Sequence, residues 1–223
     1  FKPADIDGKE ADIQNYIHNK KETEVMVNKP AADNQGDTVS WKISIVKEAN
    51  RPDLPRQKMH IDVCAIPSFD IEKRPLLNHY NIVVPTEGIL VPVQSLQETL
   101  ADKFIAVAYR ARRIKPRDIW DIVWIKQRGV GLSKELVEKK LAARNKHKDD
   151  FRAALELQIN KLQQDDEVHA DFNMEMSRFI PSQIKARTVD NPEYWAYVQA
   201  EVSAMAAELL SNGLPKTRFD MGL

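Results

Sequence analysis

Residues 95–122 read SLQETLADKFIAVAYRARRIKPRDIWDI, and the spacing of their apolar side chains decides how the second half of the chain folds. A stripe of apolar residues recurs every three or four positions, which predicts an amphipathic helix: Leu96, Leu100, Phe104 and Val107. Ser95 followed by Glu98 is the pattern of a capping box, in which each side chain binds a free amide at the helix start. A helix that begins at Ser95 is therefore predicted.

Helical spacing continues beyond this segment towards the end of the chain. Pro116 fits the first turn of a second helix over residues 117–127, and Ser133 can cap a third. The last helix is expected to begin with Asn191 as its N-cap and Pro192 at its first position. The same spacing predicts helices at residues 148–163, 167–179 and 192–211.

Upstream of residue 94 the apolar spacing changes to a period of two, which is typical of strands with one buried face. The strands are expected near residues 25–27, 39–46 and 58–64, with shorter ones at 81–84 and 89–93, and one helix ahead of them near 9–19. The fold class is therefore predicted to be α+β. We expect an α+β domain over residues 1–93, followed by a C-terminal helical bundle over residues 94–223.

Composition limits the classes of protein to which the chain can belong. The 223 residues carry 33 Lys plus Arg and 33 Asp plus Glu, so the balanced charge implies no globally basic or acidic partner. Cys64, the single cysteine, excludes an internal disulfide framework and argues against a cysteine-rich zinc module. No apolar run reaches the roughly 18 residues that a membrane span requires. The expected location is a reducing cytoplasm, without membrane association.

Charge is nevertheless concentrated in one segment. Residues 94–128 contain eight Lys or Arg and four Asp or Glu, which gives this segment a net charge of +4. Lys103 and Arg110 lie seven residues apart, on one side of a helix and about 10.5 Å apart along its axis. An ammonium and a forked guanidinium at this spacing could hold two phosphates of one triphosphate. A solvated helix face is the alternative interpretation.

Three carboxylates are candidates for the chemistry. Asp118 and Asp121 share a face at the start of the second helix, where the helix dipole alone favours acidic residues and where Arg117 could pair with either. Asp62 lies on a predicted strand, on the same face as His60 and Cys64. Side chains on one strand face are about 6.6 Å apart and rarely converge on one ion. Asp62 could bind Mg²⁺ or act as a base from a cleft, or belong to an exposed polar sheet face.

Residues 95–110 and 115–122 together resemble a known signature. The pattern Glu-x-x-x-x-Lys-hydrophobic-x-Ala-x-x-x-Arg, followed by Arg-Asp-x-x-Asp, is similar to that of the AbiEii-like nucleotidyltransferase toxins of abortive-infection, type IV toxin–antitoxin systems. The resemblance covers roughly residues 1–130, and residues 58–64 look like the family's later acidic strand. It implies a partial nucleotidyltransferase-type mixed sheet in residues 1–93. It also implies a Mg²⁺-bound nucleoside triphosphate, an acceptor such as tRNA, and a cognate antitoxin protein.

The resemblance also assigns roles to individual residues. Lys103 would contact the triphosphate, supported by Arg110 and Arg117. The catalytic residues would be Lys103, Asp62, Asp118 and Asp121. Either Asp118 or Asp121 would be the acidic residue of the family's last motif. Asp62 would be the third carboxylate of the metal site.

The sequence departs from the family pattern at its start. The Gly-Ser turn and the Asp-x-Asp strand that normally open the domain are not convincingly present, and Phe1 resembles the residue just after that strand. Asp5 and Asp7 fall where the family has a loop. We therefore expect this chain to have little or no transferase activity. Two alternatives stay open: a non-catalytic RNA- or protein-binding module that uses residues 94–128, and a purely structural role for these charges.

Overall fold

The computed structural model describes residues 8–21, 25–28, 38–45, 51, 53–77, 88–110 and 112–211. The chain divides into two compact units, residues 1–67 (unit 1) and residues 68–223 (unit 2). The described residues form eight helices and two small antiparallel sheets, which confirms the predicted α+β class with C-terminal helices. The domain boundary predicted between residues 93 and 94 stays a prediction.

Unit 1 is a helix followed by a three-stranded antiparallel sheet in the order β1-β2-β3. Its elements are α1 (Glu10–Lys21), β1 (Val25–Asn28), β2 (Thr38–Ile45) and β3 (Gln57–Cys64). Trp41 and Val63 are buried at the centre of this unit, and Ile13 of the helix packs against them. The three predicted strands and the first helix are confirmed. The described strands contain no parallel pair of the mixed sheet that the resemblance implied.

Unit 2 begins with a two-stranded antiparallel sheet, β4 (Ile71–Pro75) paired with β5 (Leu90–Gln94). The strand predicted at residues 89–93 corresponds to β5, while the one predicted at 81–84 lies outside the described residues. Strand β4 was not predicted from the sequence. Its run Ile-Glu-Lys-Arg-Pro alternates little in polarity and most of its side chains are exposed, so the pattern gives no signal of a buried face.

Seven helices follow in unit 2, and their apolar faces form one continuous core. They are α2 (Leu96–Tyr109), α3 (Pro116–Gln127), α4 (Lys134–Ala143), α5 (Lys148–Gln164), α6 (Asp166–Met176), α7 (Ser182–Arg187) and α8 (Tyr194–Leu210). Helix α2 lies at the centre, because it packs against α3, α4 and α5. The predicted stripe of α2 is buried: Leu100, Phe104 and Val107 are inaccessible to solvent. None of the described helices has the length and apolarity needed to cross a membrane.

Of the helix caps predicted at Ser133 and Asn191, the first is confirmed and the second is wrong. Ser133 caps α4 as predicted, since its Oγ accepts from the Leu136 amide at 3.2 Å. The last helix begins at Tyr194 rather than at residue 192. Asn191 does not cap it: its side chain accepts from the Glu193 amide and its carbonyl from the Tyr194 amide, which closes a turn before the helix. The six-residue helix α7 was not predicted because it is too short to display a period.

Candidate functional site

Helices α2 and α3 bring four charged side chains together, and we call Lys103, Arg110, Asp118 and Asp121 the charge cluster. The Lys103 ammonium lies 2.9 Å from an Asp118 carboxylate oxygen and 2.6 Å from one of Asp121. The other oxygen of Asp118 accepts from Arg110 Nε at 3.2 Å and from Nη2 at 2.9 Å. All four residues were predicted from the sequence as site residues, and the fold places them in direct contact.

The connection between the two helices explains this contact. Helix α2 ends at Tyr109, and the backbone of Arg110 and of Lys115 is extended, which turns the chain back on itself. Ile114 is buried between these points and fixes the turn to the core. Pro116 then starts α3, so that Asp118 lies in its first turn, facing the side of α2 that carries the two cations.

The two carboxylates of the charge cluster differ in exposure. The Asp118 side chain is only 7% exposed, while those of Lys103, Arg110 and Asp121 are 24%, 36% and 41% exposed. Burial of the Lys103 ammonium works against its charge, but hydrogen bonds and negative charge from Asp121 and Asp118 outweigh it and raise the pKa of Lys103. Lys103 therefore stays protonated at neutral pH. It can stabilise negative charge but cannot act as a general base.

Two cavities adjoin the charge cluster. Arg110 lines a polar cavity of about 330 Å³, whose other walls carry Arg112, Arg113 and Lys161 together with acidic side chains of α6. Asp121 lines a larger groove of about 670 Å³. The charge cluster can therefore be approached by a ligand through openings of different chemistry.

Arg117, the third predicted nucleotide ligand, does not join the charge cluster. Its Nε lies 3.2 Å from a Glu175 carboxylate oxygen of α6, and its guanidinium covers the Phe179 ring at 3.7 Å. Arg117 thus pairs with Glu175 rather than with Asp118 or Asp121. No local pattern indicates Glu175 as the partner of Arg117, because 58 residues separate the two positions.

Asp62 lies on β3 in unit 1 and is exposed, opposite Ser40 in the neighbouring strand. The charge cluster belongs to unit 2. A site in which Asp62 and Lys103 meet across one groove stays a prediction.

Metal-ligating side chains do not cluster in the described part of the chain. No group of three or more His, Cys, Asp or Glu side chains among the residues with described positions could hold a metal ion. Asp118 already binds two cations, so a divalent ion there would be repelled by Lys103 and Arg110. Asp62 offers a single carboxylate. Asp5 and Asp7 lie outside the described residues.

A second group of charges joins α2 to α4, and we call Glu98, Asp102, Lys140 and Arg144 the buried network, because Glu98 and Lys140 at its centre are closed to solvent. Glu98 is inaccessible and lies 2.5 Å from the Lys140 ammonium, which is itself 3% exposed. Asp102 binds the same ammonium at 3.1 Å and Arg144 at 2.8 Å. This network ties α4 to α2.

Glu98 also fixes the loop that leads into β4. Its carboxylate accepts from the Ser68 hydroxyl at 2.8 Å, from the Phe69 amide at 3.0 Å and from the Asp70 amide at 2.7 Å. Burial opposes the ionised form, but these donors and Lys140 lower the pKa of Glu98 to about 2. The Glu98 carboxylate therefore does not make the bond to the Ser95 amide that the predicted capping box requires.

The Ser95 hydroxyl does accept from the Glu98 amide at 3.0 Å. The reciprocal bond is absent among the described contacts, because the Ser95 amide donates to the Asp70 carbonyl at 2.9 Å instead. One signal of a buried Glu98 was present in the sequence. It lies three and seven residues before Ala101 and Ile105, which places it on an apolar face of α2.

Comparison with known proteins agrees with the signature in residues 95–122. Neither a curated protein nor a solved structure matched the chain. A family model described as nucleotidyl transferase AbiEii toxin, type IV TA system, matches residues 1–200. The match extends well beyond residues 1–130, which the resemblance covers. The chain therefore belongs to the AbiEii family of nucleotidyltransferase toxins of type IV toxin–antitoxin systems.

Proposed function

We propose that this toxin transfers a nucleotide from a nucleoside triphosphate to an RNA acceptor such as a tRNA end, and that Lys103 and Arg110 bind the triphosphate. The observation that carries this proposal is the charge cluster, in which two partly exposed cations are held side by side by one buried carboxylate. Family membership supports the reaction class and implies a cognate antitoxin. The acceptor, the nucleotide and a cytoplasmic location belong to the proposal.

The reaction explains why cations are needed at this position. An acceptor hydroxyl oxygen attacks the α-phosphorus and loses its proton. The bond from that phosphorus to the oxygen that bridges it to the β-phosphorus breaks, and pyrophosphate leaves. Negative charge accumulates on the leaving group, and positioned cations lower the barrier by neutralising it. A protonated Lys103 and the fork of Arg110 supply this charge, because one is a compact ammonium and the other can bind two phosphate oxygens at once.

Asp118 and Asp121 have different proposed roles in substrate binding. Asp118 is a positioning residue, because it is buried and holds both cations at fixed angles through separate oxygens. Asp121 is exposed and contacts only Lys103 among the described ion pairs. Phosphate oxygens can therefore displace its carboxylate from the ammonium at low cost, because water then solvates the carboxylate. The roles of Asp62 as a magnesium ligand and of Arg117 as a nucleotide ligand stay predictions from the resemblance. None of these steps depends on them.

Equilibrium binding of tripolyphosphate, measured by calorimetry, tests the proposal. Removing one charge-assisted contact in Lys103→Ala should weaken binding about tenfold or more. Lys139→Ala is the matched control, because Lys139 is an exposed lysine of α4 that pairs only with Glu135 among the described contacts. Equal affinity for the wild type and Lys103→Ala would refute the triphosphate site. The low turnover expected of these 223 residues is a separate prediction, which robust nucleotide transfer would contradict.

A non-catalytic binding module that uses residues 94–128 is the alternative function. Four of the eight positive side chains in this segment are paired with carboxylates of unit 2, which reduces the charge available to an acidic partner: Lys103, Arg110, Arg113 and Arg117. A salt titration of RNA binding separates the two functions. A binding module should lose affinity in Lys103→Ala and be indifferent to, or improved by, Asp62→Ala, whereas an enzyme that carries the family's Gly-Ser and Asp-x-Asp motifs should lose turnover in both variants.

A further inference from the structure

The larger groove beside the charge cluster has aromatic walls. Trp120, Trp124, Phe179 and Tyr194 line it, and it joins the charge cluster at Asp121. We propose that this groove binds the base of the nucleoside triphosphate whose phosphates bind Lys103 and Arg110. The inference rests on the proposed function and adds to it the site that recognises the base.

Helix α3 connects the two ends of this composite site. Asp118, Asp121 and Trp124 recur every three residues, so neighbouring members of the series are close on the helix surface and the series winds about 120° around the helix from the first to the last. Asp118 and Trp124 are about 9 Å apart along the helix axis, at 1.5 Å per residue. Asp121 lies between them, where it both contacts Lys103 and lines the groove. A single ligand can therefore extend from the cations to the aromatic rings.

The ring faces in the groove suit a planar, uncharged base. Trp124 and Phe179 are 39% and 56% exposed although both are large and apolar. The Arg128 guanidinium lies 3.9 Å from the centre of the Trp124 ring, and that of Arg117 lies 3.7 Å from the centre of the Phe179 ring. These cation–π contacts help to fix the two rings. Stacking of a base on such an aromatic ring contributes about 1–3 kcal/mol.

The remaining wall of the groove can distinguish a base from a simple apolar ligand. The rings of Trp120 and Tyr194 lie 6.1 Å apart at its inner side. Burial, with a smaller effect of Tyr197, raises the pKa of Tyr194 to about 12, so its hydroxyl stays protonated and can donate to a base. The volume of about 670 Å³ falls in the range of about 300–1,000 Å³ typical of small-molecule sites. Arg117, Arg187 and Asp121 give the walls a net positive charge, which suits a nucleotide.

Calorimetric titration with each nucleoside triphosphate and with tripolyphosphate tests this inference. Trp124→Ala should weaken binding of the preferred nucleotide about tenfold or more and leave tripolyphosphate affinity unchanged. Trp124→Phe should retain most of the nucleotide affinity, because its ring still stacks. Leu157→Ala, which removes an exposed apolar side chain outside the groove, is the control and should bind like the wild type.

The outcomes separate the two proposals. If Lys103→Ala weakens both ligands but Trp124→Ala changes neither, the triphosphate site stands and the base site is refuted. If Trp124→Ala weakens the nucleotide but Lys103→Ala changes nothing, the triphosphate assignment is refuted instead. If Trp124→Ala weakens only a single-stranded RNA oligonucleotide, the groove belongs to the acceptor and the inference is wrong. Failure of the wild type to bind either phosphate compound would refute both.

Discussion

Helix α2 carries two groups of opposite charges that differ mainly in their access to water. At the centre of the buried network both partners are enclosed, since Glu98 and Lys140 are 0% and 3% exposed, while Asp102 and Arg144 at its edge are 24% and 22% exposed. In the charge cluster only Asp118 is buried, while Lys103 and Arg110 are 24% and 36% exposed. Each group contains two acids and two bases, so composition alone would not assign them different tasks.

The difference in access gives the two groups different capacities. Glu98 accepts from a hydroxyl, two backbone amides and an ammonium, and a ligand could bind there only by displacing these donors from the interior. The cations of the charge cluster are fixed from beneath by Asp118 and remain accessible from the outside. Enclosure of both partners makes the loss of either charge costly and leaves no access for a ligand, whereas enclosure of the counter-ion alone positions the cations for a ligand.

The largest effect is expected for Glu98→Gln. This substitution removes the charge that balances a buried ammonium and places an amide group among backbone donors, which should lower the free energy of unfolding by about 3 kcal/mol. Urea denaturation measures the change. Glu135→Gln, at an exposed position on α4, should leave the midpoint unchanged. Equal stability of Glu98→Gln and the wild type would remove the distinction between the two groups.

The pH dependence of unfolding is a second check on the same residue. The pKa of Glu98 is about 2 in the folded chain against its ordinary 4.5. Since a depressed pKa stabilises the fold above the unfolded value, this contribution is complete above about pH 5 and is lost as pH falls from about 4.5 to about 2. The shift corresponds to about 3 kcal/mol. The stability difference between wild type and Glu98→Gln should therefore shrink over this window, and a constant difference would contradict it.

The sequence predicted α2 because its apolar residues follow the helical period from Leu96 onward, and each of them is buried or half-buried in the core. It failed at Glu98 for a physical reason: the local pattern matched a capping box, but the hydroxyl and the two backbone amides that donate to its carboxylate lie 28 to 30 residues away. Sequence spacing placed Lys103 and Arg110 on one helix face. Their shared counter-ion depends on how tightly the chain turns before α3, which no local pattern encodes.

A smaller effect is expected for Asp118→Asn. The substitution leaves two cations without their common buried partner, but both are partly exposed, so water compensates in part and the expected loss is about 1–2 kcal/mol. Urea denaturation at low and at high salt measures it. Because the affected cations reach solvent, added salt should reduce this loss, whereas the loss in Glu98→Gln should hardly change. Equal salt sensitivity of the two variants would show that the charge cluster is as enclosed as the buried network.

The smallest change in stability, below about 0.5 kcal/mol, is expected for Asp121→Asn, because an exposed ion pair contributes little. Its effect on binding should be opposite in sign to that of Lys103→Ala. Without the competing carboxylate, the Lys103 ammonium is more available to phosphate oxygens, so tripolyphosphate should bind severalfold more tightly at low salt. Calorimetry measures this affinity, and weaker binding would show that Asp121 positions Lys103 rather than competing for it.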